Sequence, residues 1–351
     1  DATMSKRART TLFASVAISC LTMAGTAGAQ EKVLYVAAYG GSYEQTMREK
    51  VFPKFEAEHN VRIEYLAGNS TDTLARLVAM RSNPQVDVAI MDDGPMYQAL
   101  ALGLCRDLDD APIFADLFDT AKIEGNQATG IGVVATGLMY NKDYFAEQGW
   151  DAPTSWADLR DPKYAGKLIV PPLSNTYGLH ALVMEAELDG GNERNIDPGF
   201  AAFADTIDSN VLAYEPSPGQ MTALFQSGQA VLSVWGSARI NSLANTGFPV
   251  EMVYPKEGAV ALGIVACPVA GKNQPEAQAL IEYMLSPEVQ EEIARDYGYG
   301  PVNKNAKLTD EEAVGIPYGP EQVGKLRVID WSYVNPVREE WNTRWTREVE
   351  G

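Results

Sequence analysis

Short apolar runs alternate with amphipathic segments in the first part of the chain, after its N-terminal stretch. The apolar runs lie at 33–38, 61–66 and 86–91, and their length is typical of buried β-strands. The segments between them, 42–52 and 70–78, carry apolar residues every three or four positions, as one face of a helix does. Because the connections are short, this β-α-β-α-β order predicts a parallel, doubly wound sheet.

A second α/β unit follows in the middle of the chain. Its predicted strands lie at 168–170, 230–235 and 250–254. Two longer apolar runs, 130–141 and 258–271, flank this unit and are expected to cross between it and the first unit. The predicted fold class is therefore α/β, with two doubly wound lobes joined by crossing hinge strands.

This pattern also predicts the domain boundaries. The first lobe is discontinuous and comprises residues 30–134 and 258–305. The second lobe comprises residues 135–257, and residues 306–351 form a C-terminal helical tail that packs on the lobes.

The first 29 residues have the order of a secretory signal peptide. Lys6, Arg7 and Arg9 precede an apolar run at 12–24. A stretch of small residues then ends at Ala29, where we expect cleavage. The apolar run is shorter than the about 20 residues that span a bilayer. We therefore expect the remaining chain to be exported to the periplasm.

The net charge of the chain narrows the classes of partner. The formal charge is −19, and residues 1–29 hold three basic residues and one acidic residue, so the exported part carries −21. A chain this acidic is repelled by phosphate backbones, so we expect no nucleic-acid partner. We also expect a monomer.

Cys105 and Cys267 remain after cleavage. An oxidising compartment permits a disulfide, but the sequence leaves their distance open.

The loops that follow the predicted strands are the candidate binding site, because ligands of doubly wound sheets bind beyond the carboxyl ends of strands. These loops are rich in glycine, serine and asparagine, with aromatic residues close by. The candidate ligand-binding residues in them are Tyr39, Gly41, Ser42, Tyr43, Asn69, Ser70, Asp92, Asp93, Ser174, Asn175, Thr176, Tyr177, Trp235 and Ser237. Each also has a structural interpretation. Ser70 and Asp93 are candidate helix caps, whereas Tyr177 and Trp235 are candidate core residues.

Catalytic and metal-binding patterns are missing from the sequence. Its two histidines, His59 and His180, have no spacing that pairs them as metal ligands. The letters G-x-G-x-x-A at 130–135 continue into strand-like residues instead of opening a helix, which argues against a dinucleotide site. We therefore predict no catalytic residue, no metal and no cofactor.

Five segments in order resemble the type II periplasmic binding proteins of the spermidine/putrescine-binding group. They read AYGGSYEQTMREKVFPKFEAEHNV, DVAIMDDGPM, PTSWADLRDPKYAGKL, GQAVLSVWGSA and PKEGA. The resemblance covers nearly the whole exported chain. It implies an extracytoplasmic solute-binding protein that captures a small molecule between its lobes and delivers it to an ABC permease and its ATPase. A sensory receptor subunit and an exported enzyme on the same fold are the alternatives.

The resemblance leaves the nature of the ligand open. Polyamine binders of this group hold ammonium groups with carboxylates. Here Asp92, Asp93 and Glu257 are the candidate counter-charges near the predicted cleft. A buried cation without a counter-charge is costly, and the small number of acids therefore weakens the polyamine hypothesis.

A basic residue supports the opposite charge preference. Arg239 lies one turn into the predicted helix after Trp235 and can bind a carboxylate with its guanidinium. Two ligand hypotheses therefore stand side by side: a polyamine-like amine, and a small carboxylate or amino acid. Ferric iron is disfavoured, because ferric-ion binders of this fold use paired tyrosines and Tyr39 and Tyr43 are not adjacent.

Overall fold

A single mixed β-sheet organises the computed structural model, which describes residues 31–215 and 217–351. The predicted signal peptide, residues 1–29, lies outside the described residues. In chain order the strands are β1 (Lys32–Ala38), β2 (Val61–Ala67), β3 (Val88–Asp92), β4 (Thr129–Asn141), β5 (Leu168–Val170), β6 (Val211–Tyr214), β7 (Leu232–Gly236), β8 (Val250–Val253) and β9 (Val260–Pro268).

The spatial order of the strands is β2-β1-β3-β9-β4-β7-β5-β6, with β8 paired to β4 outside this path. Strand β1 is parallel to β2 and β3, and β5 is parallel to β6 and β7. Between these two parallel groups, β9 and β4 run antiparallel to their neighbours. We call β2-β1-β3 the first half of the sheet and β7-β5-β6 the second half. The α/β fold with two parallel units is confirmed.

Strands β4 and β9 are the two predicted crossing strands. The first part of β4, from Thr129 to Thr136, pairs with β9. Its later part, up to Asn141, pairs with β7 and β8. Twelve of its thirteen residues are buried, so this long apolar run is explained by neighbours on both sides. The lobe boundaries given above remain predictions.

Helices cover both faces of the sheet. Within the described residues they are α1 (Gly41–Thr46), α2 (Phe52–His59), α3 (Ser70–Ala79), α4 (Asp93–Ala101), α5 (Lys142–Gln148), α6 (Thr176–Leu188), α7 (Asp197–Asp205), α8 (Pro218–Gln226), α9 (Ser237–Ala244), α10 (Pro275–Leu285), α11 (Pro287–Tyr297), α12 (Gly319–Gln322) and α13 (Trp331–Glu348). None of these helices combines the length and the apolar character that crossing a membrane requires.

The first helical segment contains an irregular turn just before Pro53. Helix α1 passes through a π-helical turn, Met47–Val51, before α2 begins with Pro53 in its first turn. Proline has no N–H to donate, so the regular hydrogen-bond ladder cannot continue through it.

Two helix caps differ from the sequence prediction by one residue. Asn69, and not Ser70, caps α3, because its side chain accepts the Asp72 N–H while Asp72 accepts the Asn69 N–H. Likewise Asp92, and not Asp93, precedes α4, since β3 extends to Asp92. The reciprocal pair at Asn69 is a capping box, which satisfies two amide groups that the helix leaves free.

The C-terminal helix α13 buries three tryptophans. Trp331, Trp341 and Trp345 are at most 4% exposed and pack with the core of the second half. Asn335 of the same helix donates a hydrogen bond of 3.0 Å to the Gly94 carbonyl of α4. This helix therefore contacts elements next to both halves of the sheet.

Cys105 and Cys267 form a disulfide, which the sequence left open. Their Cα atoms are 5.8 Å apart although 162 positions separate them in the chain. The bond ties the loop after α4 to the crossing strand β9.

Candidate functional site

A cavity of about 490 Å³ lies at the carboxyl ends of strands from both halves of the sheet; we call it the cleft cavity. Its volume falls in the ~300–1,000 Å³ range of small-molecule sites. The residues that line it are Tyr39, Ser42, Asp92, Val134, Tyr177, Ala238, Arg239, Ser242, Leu262, Ile264, Asp296, Tyr297 and Tyr299.

The floor of the cleft cavity is apolar. Val134 belongs to the crossing strand β4, and Leu262 and Ile264 belong to the crossing strand β9. All three side chains are at most 6% exposed. The crossing strands therefore supply burial at the base of the site, while polar groups come from the walls.

The first wall is built around Asp92, the last residue of β3. Tyr39, which follows β1, donates its hydroxyl to Asp92 Oδ1 at 2.6 Å. The Asp92 backbone N–H donates to Ser70 Oγ at 2.9 Å, which fixes the end of the strand. Burial raises the pKa of the Asp92 carboxyl, and the Tyr39 hydrogen bond opposes that rise only in part. The carboxyl therefore gains from a cationic partner.

Tyrosine rings surround this carboxyl. Tyr297 and Tyr299 line the cleft cavity with ring centroids 4.7 Å apart, and Tyr43 packs behind them at 5.3 and 5.7 Å. Tyr39 packs edge-on against Tyr43 at 5.2 Å. Burial raises the pKa of Tyr39, Tyr43 and Tyr299, so these hydroxyls stay protonated at neutral pH. The wall is an uncharged aromatic surface with one acid in it.

The second wall carries Tyr177 of α6 and Arg239 of α9. Burial raises the pKa of the Tyr177 hydroxyl to about 12, and the charge of the nearby Arg239 guanidinium opposes that rise. The Tyr177 ring packs on Trp235 with a centroid distance of 5.1 Å. It also passes over Gly236, where a Cβ would come within 2.6 Å of the Tyr177 hydroxyl. A glycine is required there because Tyr177 occupies the space of a side chain.

The rim of the cavity is polar. Ser42 and Ser242 face it from α1 and α9. Asp296 also lines it, but Lys50 Nζ lies 2.9 Å from its carboxylate. This acid is therefore neutralised within the protein, unlike Asp92.

The structure brings five of the candidate residues together at the cleft cavity: Tyr39, Ser42, Asp92, Tyr177 and Arg239. Two further candidates stand one layer behind. Tyr43 is 1% exposed and supports the tyrosine wall, and Trp235 is 4% exposed and supports Tyr177. Trp235 is therefore a core residue, whereas Tyr177 reaches the cavity.

Asp93 and Glu257 are placed away from the cavity lining. Asp93 is buried, and its carboxylate accepts the backbone N–H groups of Gly94 and Gly263, both at 2.9 Å. Glu257 accepts hydrogen bonds from Ser155 Oγ at 2.8 Å and from the Trp156 N–H at 2.8 Å. Asp92 ends β3 whereas Asp93 begins α4, and this change of backbone direction separates their side chains. Both carboxylates are occupied by internal partners.

The remaining candidates hold the loops in place and do not line the cavity. Asn69 and Asn175 cap α3 and α6. Ser70 and Ser237 accept backbone N–H groups from Asp92 and Ala135, and the Ser174 carbonyl accepts from Arg338. Gly41 has φ of 66°, a left-handed value that favours glycine at the start of α1. Thr176 is the half-buried first residue of α6.

Sequence reasoning missed Asp296, Tyr297 and Tyr299, because it searched only the ends of strands. These residues lie at the end of α11, where Gly298 with φ of 87° ends the helix. The run Tyr-Gly-Tyr-Gly at 297–300 is the signal that would have indicated a turn with aromatic side chains. Tyr297 and Tyr299 also form a close pair of tyrosines. On the sequence alone, ferric iron was disfavoured because no such pair was found.

A metal-binding cluster of three or more His, Cys, Asp or Glu residues does not occur in residues 31–215 and 217–351. A second cavity of about 380 Å³ lies on the other side of α9, between β8 and residues 313–316. Lys142 and Glu251 are among its charged lining residues. Among the strands, only β8, which pairs with β4, contributes residues to this second cavity. Neither crossing strand lines it.

Comparisons with known proteins agree with this geometry. The family model described as bacterial extracellular solute-binding protein matches residues 50–315. A Haemophilus influenzae protein named spermidine/putrescine-binding periplasmic protein 1 is 24% identical over 84% of this chain and 83% of its own length. A Salmonella typhimurium periplasmic protein, provisionally named for binding 2-aminoethylphosphonate, is 24% identical over 74% of this chain and 75% of its own. The crystal structure of an ABC transporter protein from Clostridium perfringens superposes with a TM-score of 0.79 at 26% identity, covering 90% of this chain and 99% of that one.

Proposed function

This chain belongs to the bacterial extracellular solute-binding protein family, and from that membership we propose that the cleft cavity is where it holds its cargo. Members of the family are the small-molecule-binding components of ABC importers. The chain binds a small polar solute and presents it to the importer, whose permease and ATPase are its expected partners. One observation supports the cleft cavity as the binding site: it collects side chains from both halves of the sheet and from both crossing strands.

A solute in this position couples binding to movement of the two halves. Asp92 and Tyr39 contact it from one side, and Tyr177 and Arg239 contact it from the other. A ligand that touches both walls binds the closed arrangement more tightly than the open one, and so shifts the population toward closure. The closed, loaded protein is the form that the permease would recognise.

The relatives indicate the size and chemistry of the cargo. They are named for spermidine, putrescine and 2-aminoethylphosphonate, which are small amines, one of them with an anionic group. The same class suits a cavity with one acid free of an ion pair (Asp92), one arginine, several hydroxyls and an apolar floor. The cargo is a small polar organic solute.

We expect binding without turnover. Among the described residues that line the cleft cavity there is no histidine to act as a general base and no cysteine to act as a nucleophile. We also expect a periplasmic monomer whose signal peptide is cleaved near Ala29. Mass spectrometry of the exported protein should find Gln30 at its N-terminus, and light scattering should give the mass of one chain.

Variants of the second wall test the site. Tyr177→Ala and Arg239→Ala should abolish uptake of the cargo by cells and weaken its binding to the purified protein. Lys142→Ala, in the second cavity on the other side of α9, is the control and should leave both unchanged. The site would be misplaced if Lys142→Ala reduced binding while the cleft variants retained it.

A further inference from the structure

Two charges of opposite sign line the cleft cavity without a charged partner among the described residues. Asp92 belongs to the first wall, at the end of β3, and Arg239 belongs to the second wall, in α9. The third charged lining residue, Asp296, is paired with Lys50 at 2.9 Å. The cavity therefore presents one unpaired negative charge and one unpaired positive charge, each from a different half of the protein.

We infer that the cargo is a small zwitterion, with an ammonium group at Asp92 and a carboxylate or phosphonate group at Arg239. This inference rests on the proposed function, because it requires that the cleft cavity hold the cargo. It replaces the two hypotheses drawn from the sequence with one ligand that satisfies both charges.

The acidic end is suited to a group that donates hydrogen bonds. Tyr39 occupies Asp92 Oδ1, while Oδ2 has no hydrogen-bond partner among the described residues. A primary ammonium can donate to that oxygen, whereas a quaternary ammonium has no N–H. The faces of Tyr297 and Tyr299 add cation–π attraction beside it. An ammonium also supplies the positive charge that the partly desolvated Asp92 carboxylate lacks.

The basic end is suited to an oxyanion. The guanidinium of Arg239 offers a fork of N–H donors that matches the two oxygens of a carboxylate or a phosphonate. Tyr177 lines the same wall as Arg239, and Ser242, one turn further along α9, adds a hydroxyl to it. The Tyr177–Trp235 contact in turn restricts how far Tyr177 can move.

Ligands with charges of one sign fit only one wall. A diamine would place its second ammonium near Arg239, and a dicarboxylate would place its second carboxylate near Asp92. Burial limits the screening of the repulsion at Asp92, whereas Arg239 is exposed and the repulsion there is weaker. Arg239 and Asp92 line the same cavity, so one small molecule there can contact both.

The test is a calorimetric titration of the full exported chain with matched ligands. γ-Aminobutyrate and 2-aminoethylphosphonate are the zwitterions, and their comparison tells a carboxylate from a phosphonate. Butyrate, ethylphosphonate and butylamine each lack one charge, putrescine and succinate duplicate one, and ferric citrate tests the tyrosine pair. At least one zwitterion should bind at least about tenfold more tightly than every other ligand, since a lost charged hydrogen bond costs that much.

Selectivity in two variants shows which wall binds which charge. In Asp92→Asn the preference for the zwitterion over its amine-free analogue should fall to within about threefold. In Arg239→Gln the preference over butylamine should fall in the same way. A ratio of two affinities in one variant is insensitive to partial unfolding, which would weaken both ligands. The surface variants Asp205→Asn and Arg347→Gln are matched controls and should keep the full preference.

The outcomes separate the two proposals. If putrescine, succinate or ferric citrate binds as tightly as any zwitterion, and the cleft variants weaken that binding, the zwitterion is wrong and the cleft cavity stands. If a ligand binds and neither cleft variant changes its affinity, the cleft cavity itself is wrong. A panel in which no zwitterion binds also overturns the inference.

Discussion

The carboxylate of Asp93 accepts the backbone N–H of Gly263 at 2.9 Å and so joins the start of α4 to the crossing strand β9. Both residues line a small internal space with Trp331, the first residue of α13. Asp93 therefore belongs to the junction of the first half, the crossing strands and the C-terminal helix. Its neighbour Asp92 points instead to the cleft cavity.

This position of Asp93 predicts a dependence of stability on pH. Burial raises the pKa of its carboxyl to about 7, above the value near 3.8 expected in the unfolded chain. The folded state thus binds a proton that the unfolded state has lost, so this contribution to stability is complete below about pH 4 and is lost as pH rises through about 7. In Asp93→Asn that decline should be absent, with a difference of a few kcal/mol between the two proteins, measured by urea unfolding at several pH values.

His180 provides the internal reference for that measurement. It is fully buried, with Nδ1 2.8 Å from Thr136 Oγ1, and burial lowers its pKa to about 3. Its contribution is present above the unfolded pKa near 6.5 and is lost as pH falls, so it has the opposite sign. The acid limb from His180 should remain in Asp93→Asn. A variant profile parallel to the wild-type profile between pH 4 and 7 would contradict the assignment to Asp93.

Gly236 should control the position of Tyr177. A methyl group at this residue would meet the Tyr177 hydroxyl at 2.6 Å, so Gly236→Ala must displace the ring from the second wall. We expect cargo affinity to fall about tenfold or more, equal to about 1.4 kcal/mol of binding free energy, by calorimetry. Gly219→Ala in α8, where the nearest atom is 3.9 Å away, is the control and should bind normally. Normal affinity in Gly236→Ala would mean that Tyr177 does not contribute to binding.

Substitutions of Glu257 and Asp92 should have opposite effects, one on the stability of the protein and the other on its affinity for cargo. Glu257→Gln removes one acceptor oxygen and the charge that strengthens the hydrogen bonds from Ser155 Oγ and the Trp156 N–H, so the free energy of unfolding should fall by about 1–3 kcal/mol. Because Glu257 does not line the cleft cavity, the affinity of the folded protein for cargo should stay the same. Asp92→Asn should show the reverse, with weaker binding and little loss of stability. Weaker cargo binding in Glu257→Gln at full folding would show that Glu257 acts in the site.

The disulfide should contribute mainly to stability. It closes a loop of 162 positions, and replacing Cys105 and Cys267 together by alanine should lower the free energy of unfolding by about 2–4 kcal/mol. Dithiothreitol should lower the melting temperature of the wild-type protein and leave that of the double variant unchanged. Neither cysteine lines the cleft cavity, so cargo affinity should be retained. Equal melting temperatures of the oxidised wild type and the variant would argue against a stabilising bond.

The local pattern of the sequence predicted most of the elements and their order, but it missed the short strand β6, none of whose four residues is fully buried. Continuous apolar runs predicted β1, β2 and β3, and the two longest runs predicted the crossing strands β4 and β9. Short turns between them were enough to predict parallel units, because strand-helix-strand connections admit few topologies. The rule that ligands bind at strand ends also selected Tyr39, Asp92 and Tyr177, which line the cleft cavity.

Only the tertiary structure decided which of these groups meet. Asp92 and Asp93 are adjacent in sequence and chemically identical, yet the boundary between β3 and α4 directs one to the cleft cavity and the other to Gly263 of β9. Tyr297 and Tyr299 reach Tyr39 and Tyr43 from more than 250 positions away, which no local pattern can indicate. Helix and strand signals act over a few residues, whereas a binding site depends on contacts between segments that only chain topology brings together.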